Sequence, residues 1–83
     1  MSFQQTIFLI DGDAACNALL ARNLETHEFI VHTATTAEEL LAMVRTKRAD
    51  LIILGVDLPD MDGRDACRLL RKRGLLTPVL IVS

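Results

Sequence analysis

Apolar runs of strand length alternate with stretches of helical spacing along the chain. Thr6 to Ile10 predicts a buried strand ending at Asp11-Gly12-Asp13. Cys16, Leu19, Leu20 and Leu24 then recur at helical spacing and predict an amphipathic helix. Phe29 to Ala34 is short and β-branched, a second strand. Thr35 and Thr36 stand three residues before Glu38 and Glu39, the spacing of a capping box. The helix they open carries Leu40, Leu41 and Val44 on its inner face. Leu51 to Leu54 is apolar on both sides, as a central parallel strand must be. Arg64 to Arg73 predicts a third helix, with Leu69 and Leu70 inward and Gly74 as its C-terminal stop. Thr77-Pro78 leads into Val79 to Val82, a fourth strand.

The order is βαβαβαβ with short connections. Right-handed crossovers turn that order into an α/β fold with a parallel, doubly wound sheet.

Composition narrows the class. At 83 residues and 51% apolar, the chain suits one domain with a real core and is too apolar for disorder. A net charge of −2 gives no global pull towards nucleic acid or anionic lipid. No apolar run reaches membrane-spanning length and no basic-then-apolar signal opens the chain, so a soluble cytoplasmic protein is expected. Cys16 and Cys67 lie in helices expected on opposite sheet faces, beyond bonding distance, and read as buried, reduced thiols. His27 and His32 are too isolated for a metal site and are expected at the surface. Phe29 and Met61 read as packing residues. Arg64, Arg68, Arg71, Lys72 and Arg73 crowd the third helix, where cations near the C-terminus complement the dipole. No aromatic residues are interleaved with them, so no direct nucleic-acid contact is expected.

The stretch Asp50 to Gly63 is the most specific in the chain. An apolar run ending on a turn, then Leu58-Pro59 and Met61-Asp62-Gly63, resembles the third strand and following loop of a receiver (CheY-like) domain of two-component response regulators. The resemblance covers essentially all 83 residues as a single receiver-like domain, and it implies a flavodoxin/CheY-like sheet of strand order 2-1-3-4. Receivers continue with another helix, a fifth strand and a last helix, so residues 1–83 correspond to the N-terminal two-thirds of the fold. A strand as apolar as Val79 to Val82 would be an uncovered edge, which implies a longer chain or self-association through that edge.

In that order, ligands gather outside the carboxyl ends of the first and third strands. The resemblance then assigns roles. Asp11 matches the first of the family's magnesium-holding acids, and Asp13 the third. Gly12 stands where the second acid, normally a direct ligand, should be. Gly55, four residues before Pro59, stands at the phosphoacceptor aspartate. Asp57 matches the position whose backbone carbonyl completes the metal site, and Ser83 the hydroxyl that answers the phosphoryl group. Mg2+ wants near-octahedral oxygen coordination, and phosphoryl transfer needs that metal and an in-line nucleophile. With glycine at both key positions, the resemblance implies a degenerate receiver: no phosphorylation at Gly55, Mg2+ weak or absent, a vestigial site at Asp11 and Asp57, and signalling by protein–protein contact. The implied partners are a histidine kinase or other signalling protein, and an attached effector domain.

A rival resemblance is enzymatic. Asp11-Gly12-Asp13 is similar to the Asp-x-Asp motif of haloacid-dehalogenase-type phosphohydrolases, with Asp11 as nucleophile, Asp13 as general acid and Ser83 in the second motif. Against it, Ala15 stands where Thr or Val is expected, and the Leu58 to Gly63 loop is left unexplained.

Overall fold

A computed structural model describes residues 3–83. Four strands and three helices alternate: β1 (Thr6–Ile10), α1 (Ala14–Glu25), β2 (Ile30–Ala34), α2 (Ala37–Thr46), β3 (Leu51–Gly55), α3 (Gly63–Lys72) and β4 (Val79–Val82). They form one parallel sheet of order β2-β1-β3-β4, as expected. The order reverses between β1 and β3, where Ile10 pairs with Leu54.

Alternation along each strand sorts side chains onto the two sheet faces. Phe8 and Ile10 of β1, with Ile52 and Leu54 of β3, pack against Leu40 of α2 and Ala66 and Leu70 of α3. Phe8, Ile10, Leu40, Ile52, Leu54 and Leu70 are fully buried, each contributing about 1.5–3 kcal/mol. α1 packs on the opposite face, beside Leu9 and Ile53.

Local chemistry fixes the helix ends. Asp13, Thr36 and Asp62 are the N-caps of α1, α2 and α3, each accepting a backbone N–H of its first turn. Glu39 reaches back to the Thr35 N–H and to the hydroxyls of Thr35 and Thr36, which completes the expected capping pattern. Gly74 takes φ 86°, the left-handed turn that ends α3.

Three expectations change. The buried side of α1 is Asn17 and Ala21, whereas Leu19 and Leu20 are exposed. Cys16 is exposed and Cys67 half-buried, although both are free thiols as expected. His32 is half-buried and meets Phe8 edge-on, with ring centroids 5.8 Å apart. Among the described residues no helix is long and apolar enough to cross a membrane.

Candidate functional site

The carboxyl ends of β1 and β3 bring together Asp11, Gly12, Asp13, Gly55, Val56 and Asp57. Ser83 follows Val82, the β4 partner of Gly55. These residues share one end of the sheet, as the strand order requires. The commitments of each side chain within it are more specific.

Asp11 is held from several sides. Its N–H donates to the Ala34 carbonyl at 3.2 Å, and its own carbonyl accepts from Asn17 Nδ2 at 3.0 Å. Its carboxylate accepts the Asp13 N–H at 2.8 Å. The other carboxylate oxygen leans over Gly55, 3.3 Å from where a Cβ on that residue would stand. Asp13 faces the helix it caps, accepting the N–H groups of Ala15 and Cys16 at 2.9 and 3.3 Å and the Cys16 thiol at 3.4 Å. These bonds, led by that from the Cys16 backbone, hold the Asp13 carboxyl below the usual range. The bond from the Cys16 thiol to the Asp13 carboxylate pushes that thiol up, away from reactive thiolate.

The β3–α3 loop closes the other side. Its turn is pinned by Gly63 N–H donating to the Val56 carbonyl at 2.8 Å, and a Cβ on Gly63 would collide with the Gly55 carbonyl. The Asp57 carbonyl lies 2.9 Å from the point a Cβ on Gly12 would occupy. Gly12, Val56, Asp57, Leu58, Pro59 and Asp62 line an open hollow of about 530 Å3. Asp62 is bound at 2.8–3.1 Å by the Arg64 guanidinium and by its N–H, which depress its carboxyl to about 2. Arg68 makes a single ion-pair contact with Asp65.

Two residues that organise this region escaped the sequence reading. Asn17 is buried and joins α1 to both strand ends, donating to the carbonyls of Asp11 and Ala34 at 3.0 and 2.9 Å. Asp60 accepts the N–H groups of Ala37 and Glu38 at 2.9 Å each, so the β3–α3 loop caps α2. Those bonds, the Ala37 one first, lower its pKa. An asparagine at a helical position next to the buried Ala21 was the available signal for the first. The second spans more than twenty residues and has no local signal.

The donors suit Mg2+ poorly. One oxygen of Asp11 already accepts the Asp13 N–H, and Gly12 and Gly55 offer no side-chain oxygen. Among the described residues no three His, Cys, Asp or Glu side chains converge as a metal site would require.

The response regulator receiver domain family matches residues 7–83. The chain belongs to the receiver family. The receiver is 38% identical over 77 residues to the alkaline phosphatase synthesis transcriptional regulatory protein PhoP of Bacillus subtilis, covering 93% of this chain and 32% of that protein. It is 34% identical over 77 residues to the response regulator MprA of Mycobacterium ulcerans, covering 93% and 33%. It thus spans about a third of the length of these relatives. The non-phosphorylated HemR receiver domain from Leptospira biflexa superposes with a TM-score of 0.86 at 28% identity, covering 94% of this chain and 63% of that one. A CheY-like receiver domain protein from Methanospirillum hungatei gives 0.89 at 25% identity, covering 95% and 63%. The match takes in Asp11, Asp13 and Ser83 together with the Leu58 to Gly63 loop that the phosphohydrolase reading left unexplained. Receiver domains of this family belong to two-component response regulators.

Proposed function

We propose that this receiver signals through protein–protein contact without accepting a phosphoryl group at Gly55, and is not an enzyme. The observation that carries the reading is the pairing of a side-chain-free residue at the acceptor position with an Asp11 carboxylate that overhangs it. An aspartate nucleophile attacks phosphorus through a carboxylate oxygen, and position 55 has none. Position 12, where receivers place a metal-holding acid, also lacks an oxygen, so charge developing on a phosphoryl donor has no cation to neutralise it. Asp11 and Asp57 are then the remnant of a metal site, with Mg2+ bound weakly or not at all, and Ser83 is a switch hydroxyl with no phosphoryl group to answer.

In this reading residues 1–83 are one receiver-like domain corresponding to the N-terminal two-thirds of the fold. A histidine kinase or another signalling protein is its partner, with an effector domain or a second copy at the β4 edge as the further contact. The partner biases a two-state equilibrium that phosphorylation biases in competent relatives. Incubation with acetyl phosphate and Mg2+ followed by intact-mass measurement tests it. The expected spectrum is unchanged; a stable phosphoryl adduct overturns the proposal.

A further inference from the structure

The near-neutral net charge conceals a strong partition. Of the nine Lys and Arg residues, six (Arg45, Lys47, Arg48, Arg71, Lys72 and Arg73) sit in or just after the last turns of α2 and α3. This is the end of the molecule opposite Gly55. Asp50, the acid closest to this group in sequence, has its carboxylate on the Thr6 N–H at 2.7 Å. Among the described residues, the ion pairs of α3 involve only Arg64 and Arg68, at its other end.

Between the two basic helix ends runs an apolar groove. Two hollows of about 270 and 360 Å3 share Val44, Gly74 and Leu75 as a common floor. Arg45 and Arg73 stand on one part, and Lys47 and Arg48 on the other. Leu76 lines the groove yet is 87% exposed. Its exposure is imposed: Arg71 donates to the carbonyls on both sides of it, Leu75 at 2.9 Å and Thr77 at 2.7 Å. The Leu75 N–H is bound in turn to the Leu70 carbonyl at 3.0 Å. A leucine held out to solvent by a clamped backbone loses little freedom on being covered, which is what preorganisation supplies.

We propose that this groove docks an extended acidic segment of a partner protein, in which carboxylates flank an apolar side chain. The apolar residue covers Leu76 and Leu75, and the carboxylates meet Arg45, Arg48 and Arg73. An apolar centre within a charged rim is the anatomy of a protein contact, and the cationic rim speeds encounter with an acidic partner. Nucleic acid fits less well, because the groove offers no aromatic ring for base stacking and places leucines where phosphates would lie. A concave groove also presents little to a flat bilayer. The site is independent of the acceptor position, so it stands whether or not the reading of Gly55 holds.

Fluorescence anisotropy with a labelled peptide alternating glutamate and leucine tests the proposal on the intact chain. Saturable binding is expected, weakening with salt, and weakening about tenfold or more in Arg45→Glu/Arg73→Glu, equivalent to about 1.4 kcal/mol or more. Leu76→Ser is expected to weaken it severalfold, while Arg22→Glu, an exposed charge on α1, leaves it unchanged. All the substituted positions are exposed, and circular dichroism checks that the variants stay folded. Absence of saturable peptide binding, or binding indifferent to Leu76→Ser, overturns the proposal. So does tighter binding of a DNA duplex or of phosphatidylserine vesicles than of the peptide.

Discussion

The carbonyl oxygen of Asp57 sits over Gly12, 2.9 Å from the position a Cβ there would take. Position 12 is therefore closed to a side chain as well as lacking one. Any side chain at residue 12 must push back the backbone of the β3–α3 loop, and that loop is anchored at Gly63 and Asp60.

Gly12→Ala is accordingly expected to destabilise by about 1–3 kcal/mol, the usual range for forcing atoms into packed space. Gly55→Ala should cost less. Its Cβ meets the Asp11 carboxylate tip and the Ile10 carbonyl at 3.3 Å, and the former can swing aside. Urea unfolding of the two variants gives the order directly.

Gly63 is the least replaceable glycine. A Cβ there runs into the Gly55 carbonyl, part of a central strand that cannot retreat. Gly63→Ala is expected to cost roughly 3 kcal/mol or more, or to prevent folding, seen as lost two-state unfolding by circular dichroism.

Leu70, fully buried between α3 and the sheet, is the packing control. Leu70→Ala should cost about 2–5 kcal/mol through lost transfer energy and a residual cavity. Denaturant melts with an unchanged slope would confirm that only stability has moved.

Acid should loosen the helix starts. Asp13, Glu39, Asp60 and Asp62 all have folded pKa values below their ordinary ones, because backbone N–H groups and, at Asp62, Arg64 favour the charged form. A depressed folded pKa means that the contribution is complete above the unfolded value and is lost as pH falls through the folded one. For Asp62 that window runs from 3.8 down to about 2. Thermal melts across this range should show falling stability. Asp60→Asn should show a shallower fall and a lower plateau at neutral pH, since the α2 N–H groups then lose their charged acceptor.

Much of this was legible from the chain alone. The apolar runs of β1 and β3 made the two central strands because a parallel sheet covered by helices demands continuous burial there, and Gly74 ended α3 because its φ of 86° suits glycine. The family signature located Gly12, Gly55 and Asp57. The inward stripe of α1 was not legible, because its leucines Leu19 and Leu20 are exposed and the small Ala21 and polar Asn17 are buried instead. Neither was the role of Asp60, whose partners lie 22 and 23 residues away. Nor was the clamp by Arg71, which a charged helical face conceals until the loop beyond Gly74 is folded against it.

Whether the mouth of β1 and β3 can hold a phosphoryl group decides the function proposed for this receiver. Fluorine-19 NMR of the chain with beryllofluoride and Mg2+ addresses that most directly, because beryllofluoride binds an acceptor carboxylate as a phosphoryl group would. Only free fluoride species should be seen. Protein-bound beryllofluoride resonances that disappear on Asp11→Asn would contradict it.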